Sequence, residues 1–355
     1  MVFSFDCVVF SCTFNIYLLI LQKILRNPHK QNLLTTTLMT QNQELTVHER
    51  IKGAILGHAL GDALGVGTEF MNKNEIKAYY PDGLRDFSQI IRDAHRSQWL
   101  PGETTNDTVY FTSNLESVLE CNGFDVVHMA RRLKQTLIEL DMDIVPVYRA
   151  CLSVEGWEND PIAKAETAWR KYHLYEATND SISRGLMAGL VSTPANVVEN
   201  ARLATLMTNI DTRCVAATTA VAMMANSILY TGKPASYEEL AAEIYNIDGR
   251  TISFLDLAYN GRLEDFKLDD EESLMWARKA MGAALWSAWH MDDPTEILYR
   301  VVEEGGDSDT NASSACTLAG LRFGYDALPP LKEKLAKHDY FCDLADRVTR
   351  YVESL

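Results

Sequence analysis

Two short segments of this chain set hydroxyl and acid side chains next to each other immediately ahead of helical patterns. The first is Trp99-Leu-Pro-Gly-Glu-Thr-Thr-Asn-Asp-Thr108; the second is Gly305-Gly-Asp-Ser-Asp-Thr-Asn311. Read locally, each is a turn followed by a helix N-cap, because Asn, Asp, Ser and Thr side chains accept hydrogen bonds from the unpaired amides of a first helical turn. Read chemically, Asp-x-Asp followed by Thr supplies oxygen ligands for a hard divalent cation. Asp307, Asp309 and Asn311 match the first half of an EF-hand loop. The match then fails, since Ala312 stands where Gly is needed and Leu318 where Glu is needed. Further oxygen ligands must come from elsewhere, and Thr105-Asn106-Asp107 is the natural donor. On the chemical reading the two clusters together would make a composite magnesium site, because so many carboxylates converge comfortably only around a cation.

A third segment carries chemistry of a different kind. Gly53, Gly57, Gly61, Gly65 and Gly67 fall within fifteen residues of a helical pattern, at a cost of roughly 1 kcal/mol each relative to Ala. Tight helix packing or close approach of backbone to a ligand must offset that. The same stretch embeds two carboxylates, Asp62 and Glu69, among small and apolar residues.

Taken in order, these three segments resemble the ADP-ribosylglycohydrolases, the group that includes the dinitrogenase-reductase-activating glycohydrolases and ADP-ribosylarginine hydrolases. The resemblance spans residues 51 to about 325 and includes Gly320 and Gly324 beyond the third motif. Two further segments match more loosely. Ser181-Ile-Ser-Arg184-Gly-Leu-Met-Ala-Gly189-Leu190 is similar to a Met-Arg-x-x-Pro-Leu-Gly segment of the family. Thr208-Asn209-Ile-Asp211-x-Arg213 is similar to its Thr-His-x-Asp-x-Arg segment.

The resemblance implies a binuclear magnesium centre in a cleft of an all-α domain, with Thr105, Asn106, Asp107, Asp307, Asp309 and Thr310 as metal ligands. It implies that Glu69 or Asp107 orients the water that cleaves the bond between ADP-ribose and a protein side chain, arginine above all. Gly61, Gly65, Gly67, Gly305 and Gly306 are expected to bring backbone amides close to the diphosphate, with Asp62, Arg184 and Ser308 also on the substrate side. An acidic protein would then bind an anionic ligand without a basic patch. The sequence departs from the family at Asn106, where Asp is usual, at Asn209, where His is usual, and near Met187, where Pro is absent. Asn106 removes one negative charge, which predicts weaker binding at one metal position. The same resemblance also accommodates an immunity protein that neutralises an ADP-ribosylating toxin by hydrolysis or by occlusion with its N-terminal extension, and a catalytically weak family member.

The elements that must position these residues read as helices. Phe111, Leu115, Val118 and Leu119 mark one helical face, Ala312, Cys316, Ala319 and Phe323 another, and Leu274 through Trp289 a third. Residues 216–230 are apolar nearly all round, as a buried central helix would be. No strand–helix alternation signals a parallel sheet. The expected fold is all-α, a single compact multi-helix domain over 49–355 preceded by a short extension, 1–48.

The extension holds an apolar run from Val8 to Leu21 with Lys23, Arg26 and Lys30 after it. A secretory signal carries its charge before the apolar run, so the expectations are a segment outside the folded domain, a later start such as Met39, or an anchor whose flanking charges keep the rest in the cytoplasm. A cytoplasmic location with no stable membrane insertion is expected. With 33 Lys plus Arg against 49 Asp plus Glu, the net charge of −16 argues against a nucleic-acid surface, which leans on clustered basic residues. Seven scattered cysteines without a C-x-x-C pair argue for a reducing compartment.

Overall fold

The computed structural model describes residues 45–140 and 145–355. The apolar run from Val8 to Leu21 and most of the polar linker lie outside them, as does any reading of that segment as an anchor or as an occluding arm. Among the described residues the secondary structure is helical, and the one β-type pairing is an isolated bridge between Thr178 and Trp276.

Helix α1 (Val47–Gly65) opens on a capping box: the Glu49 amide donates to Thr46 Oγ1 at 3.2 Å and the Thr46 amide donates to Glu49 Oε2 at 2.7 Å. Its glycines recur every fourth residue and so line one stripe. That stripe faces α14 (Ser308–Phe323) in antiparallel register. A β-carbon at Gly53 would overlap the carbonyl of Gly320, one at Gly57 that of Cys316, one at Gly61 that of Ala312, and one at Gly65 would run into Ser308 and Asp309. Backbone therefore lies on backbone along the whole contact, which explains the low-propensity glycines. The register also brings the last turn of α1 to the first turn of α14.

Around this pair the other α-helices of the described residues pack into one main apolar core, with a small separate cluster of Ala188, Val197, Ala201 and Ala222. These helices are α2 (Lys73–Tyr79), α3 (Asn106–Cys121), α4 (Val126–Leu140), α5 (Pro146–Leu152), α6 (Pro161–Tyr172), α7 (Ile182–Val191), α8 (Val197–Leu206), α9 (Thr212–Thr231), α10 (Tyr237–Asp248), α11 (Ile252–Asn260), α12 (Ala277–His290), α13 (Pro294–Val302) and α15 (His338–Val352). The expected face of α3 is found, with Phe111, Leu115 and Val118 fully buried. Helix α9 is long and apolar enough to cross a membrane, yet 78 % of that window is buried inside the domain, against α7, α8, α10 and α12. It is the central core helix expected over 216–230.

One helix starts later than its pattern predicts. Leu274 precedes α12 rather than opening it, because the segment before Ala277 pairs with the chain at Thr178 instead. The Asn179 amide donates to the Met275 carbonyl at 2.9 Å and the Ala277 amide to the Ala177 carbonyl at 2.8 Å. This pairing fixes Asn179 in the floor of the site.

Candidate metal centre

Three helix ends meet at one place: the turn after α1, residues 65–71; the mouth of α3 at Thr105; and the mouth of α14 at Asp307. Carboxylate oxygens of Glu69, Asp307 and Asp309 all lie within 4.8 Å of one another, and all three residues are buried. The two hydroxyl-plus-acid clusters interlock. Thr105 Oγ1 donates to Asp309 Oδ2 at 3.2 Å, and Thr310 Oγ1 donates to Asp107 Oδ2 at 2.8 Å. Asp307 Oδ2 accepts from Asn179 Nδ2 at 2.7 Å.

The backbone holds these ends together. The Phe70 amide donates to the Gly306 carbonyl at 2.7 Å and the Gly306 amide to the Met71 carbonyl at 3.0 Å. Gly305 and Gly306 both take left-handed φ, 72° and 66°, where a β-carbon would also strike the carbonyls of Met71 and Leu268. Phe70 has φ 58°, an uncommon conformation for a bulky residue, and it is half exposed at the rim. Arg96 clamps the same turn: its Nε donates to the Gly67 carbonyl at 2.9 Å and its Nη2 to the Glu69 carbonyl.

Burial and crowding set the electrostatics. Loss of solvent pushes the Asp307 carboxyl up to about 6, with the Glu69 charge adding to the effect. Asp107 and Asp309 are driven well above the ordinary carboxylate range, first by burial and then by the acids around them. Such a group of buried carboxylates, lacking any Lys or Arg partner among the described residues, fits a hard divalent cation, whose charge would relieve the repulsion. The hydroxyls of Thr105 and Thr310 add neutral oxygens at the same helix mouths, and Asn106 is the first residue of α3.

Asp62 plays a supporting part. It is fully buried in α1 and accepts from the Thr105 amide at 3.0 Å, the Thr108 amide at 3.0 Å and the Thr108 hydroxyl. It thus caps α3 from a neighbouring helix. Burial raises its carboxyl to about 6 against those hydrogen bonds.

Several residues expected on the substrate side are spent on the protein itself. Gly61 and Gly65 lie inside α1, where their amides bond within the helix. The Gly67, Gly305 and Gly306 amides donate to the carbonyls of Leu64, Val302 and Met71. The five glycines therefore serve helix contact and turn geometry, with their amides bonded within the protein. Ser308 Oγ donates to the Gly65 carbonyl at 2.8 Å and accepts from Thr68 Oγ1 at 2.9 Å, fully buried. Arg184 is likewise fully buried and spends its guanidinium on the Ala204 carbonyl, the Tyr148 hydroxyl, Thr208 Oγ1 and Asn209 Oδ1. It braces the wall of a cavity of about 380 Å³, lined in part by Trp169, Tyr175, Asp180, Asn209 and Asp211, beside Asn179.

Sequence reasoning missed Asn179 and His95. Asn179 stands two positions ahead of the Ser181–Leu190 segment, so its neighbourhood was marked although its contact with Asp307 was not. His95 lies in a polar loop with no periodic pattern. Its Nε2 donates to Glu69 Oε2 at 2.7 Å, and that hydrogen bond raises the imidazole pKa.

Fold and site together define an all-α protein whose helix mouths gather buried carboxylates able to hold a metal ion. The chain belongs to the ADP-ribosylglycohydrolase family, which its residues 43–354 match. It is 27 % identical over 293 residues to the ADP-ribosyl-[dinitrogen reductase] glycohydrolase of Rhodospirillum rubrum, covering 80 % of this chain and 89 % of that one. It is 23 % identical over 313 residues to the ADP-ribosylarginine hydrolase Tri1 of Serratia proteamaculans, covering 84 % and 79 %. Among solved structures, a chain of an ADP-ribosylglycohydrolase-related protein complex superposes with a TM-score of 0.67 at 25 % identity, covering 86 % of this chain and 99 % of that one.

Proposed function

We propose that the protein hydrolyses the N-glycosidic bond joining ADP-ribose to an arginine side chain of a modified protein, with two magnesium ions at the carboxylate centre. The observation that carries this reading is the convergence of Glu69, Asp307 and Asp309 oxygens within 4.8 Å, cross-tied to Thr105 and Asp107. The relatives named for acting on ADP-ribosylarginine and on ADP-ribosylated dinitrogen reductase support it.

Thr105, Asn106, Asp107, Asp307, Asp309 and Thr310 would hold the ions. Bound there, magnesium would offset the carboxylate charge and polarise the ribose hydroxyls beside the anomeric carbon. The remaining work falls to the chain. Glu69 Oε2 is occupied by His95, which leaves Oε1 to orient the attacking water and take its proton. The water oxygen bonds to the anomeric carbon as the carbon–nitrogen bond breaks, with oxocarbenium character in between. The departing guanidine nitrogen receives the proton, giving free ADP-ribose and unmodified arginine. Asn179 holds Asp307 in place, and Asp62 holds the Thr105–Thr108 turn, so the acids need not reorganise during the reaction.

The test is release of free ADP-ribose from arginine-, serine- and O-acetyl-linked substrates, side by side, with and without magnesium. Release from the arginine linkage that requires magnesium and disappears in Asp307→Ala supports the assignment. Release from another linkage alone, or equal release in chelator, overturns it.

A further inference from the structure

Glu69 is gripped from a single loop at both its main chain and its side chain. Arg96 bonds the Glu69 carbonyl, while its neighbour His95 bonds the carboxylate at 2.7 Å. The His95 ring sits between two aromatic side chains. Its centroid is 5.4 Å from that of Phe70 and 5.2 Å from that of Trp99, the latter edge-on. Its side chain is 31 % exposed, against 10 % for that of Glu69, so the imidazole is the more solvent-exposed partner of the pair.

The hydrogen bond opposes a specific force. Carboxylate oxygens of Glu69, Asp307 and Asp309 lie within 4.8 Å of one another, and their charges repel wherever no proton or cation offsets them. Without a donor on Oε2, a carboxylate at the end of a three-bond side chain would swing away from the other two. The imidazole, itself fixed by Phe70 and Trp99, sets both the direction and the distance of that carboxylate.

We propose that His95 is a positioning residue for hydrolysis: through its Nε2 donor it holds the Glu69 carboxylate at the edge of the Asp307–Asp309 pair, leaving Oε1 turned to the attacking water. This rests on the hydrolase reading given above. It adds a residue that acts through Glu69 and touches neither substrate nor ion.

The experiment uses the full chain and three variants: His95→Phe, which keeps an aromatic ring without the donor; His95→Gln, which keeps a donor; and Glu69→Gln. With arginine-linked ADP-ribose, His95→Phe is expected to lower kcat about 10- to 100-fold, the range for losing a hydrogen bond to a charged group. KM should stay within about twofold, and His95→Gln should recover most of the loss. The double variant His95→Phe/Glu69→Gln should turn over no more slowly than Glu69→Gln alone, since His95 acts only through Glu69. An unchanged kcat in His95→Phe, no recovery in His95→Gln, or a full multiplicative loss in the double variant overturns the proposal. A second readout is independent of activity: long-range proton–nitrogen NMR should find His95 protonated on Nε2, with that signal displaced in Glu69→Gln. If the wild type hydrolyses none of the linkages, the hydrolase reading fails. The spectrum then decides alone whether His95 holds Glu69, and an undisplaced signal overturns it.

Discussion

The Thr310 hydroxyl donates to Oδ2 of Asp107 at 2.8 Å, fastening the mouth of α14 to the mouth of α3 across 203 residues of chain. Thr105 returns the tie to Asp309 at 3.2 Å. Each cluster thus supplies a hydroxyl to an acid of the other, and neither arrangement is complete without its partner. A residue change at one helix mouth should therefore be felt at the other.

The carboxylate centre should behave as a ligand-linked stability element. Magnesium at 100 times its dissociation constant is expected to stabilise the wild type by about 2.7 kcal/mol. Asp309→Asn should lose most of that gain while folding normally in chelator, because it removes a repelled charge. Thermal unfolding with and without magnesium checks both statements, and an equal magnesium response in wild type and variant would contradict them.

The raised acids also predict a pH dependence. Asp307 titrates at about 6 in the folded chain against 3.8 as an ordinary side chain, so the folded state takes up its proton first as pH falls. The metal-free protein should therefore gain stability from Asp307 as pH drops through about 6, and Asp307→Asn should lack that component. In the same interval protons compete with cations, so magnesium affinity should fall. Unfolding of wild type and variant in chelator, with magnesium titrations at about pH 7.5 and about pH 5.5 to bracket that interval, tests the sign.

Asn106 heads α3 beside the Thr105 cap, with one charge fewer than the family's usual acid there. Asn106→Asp is expected to lower the magnesium concentration for half-maximal hydrolysis several-fold, since each added ligand charge strengthens a hard-ion site. Superimposable magnesium curves would rule out a ligand role for position 106.

Gly61 meets the Ala312 backbone, where no flexible side chain can yield. Gly61→Ala should cost about 3 kcal/mol by forcing α1 and α14 apart. It should weaken magnesium binding as well, although Gly61 touches no acid of the centre. Denaturant unfolding and magnesium calorimetry on the variant provide the check.

Much of the helical body was legible because apolar residues at i, i+4 and i+7 report a buried stripe directly, as Phe111, Leu115 and Val118 do. The two acid–hydroxyl clusters were legible because each is contiguous in sequence. The glycines of α1 admitted two readings, packing or ligand approach, and only the position of α14 decides between them. Leu274 carried the right helical phase, but pairing of the segment near Met275 with Asn179 outweighs local periodicity. His95 was invisible for a physical reason: its partner is 26 positions away and neither residue belongs to a repeating pattern.

The glycine stripe of α1 gives the centre something like the fixed jaws of a caliper. Side chains between two helices can repack to let the helices spread, but carbonyls that fill the place a β-carbon would take have no such slack. The separation of the end of α1 from the start of α14 is therefore set by backbone contact, and His95 places the Glu69 carboxylate, in the turn after α1, within that frame. On the magnesium reading proposed above, an ion with longer oxygen distances would have to spread that frame, so a preference by ionic radius is expected to lie partly in the stripe from Gly53 to Gly65.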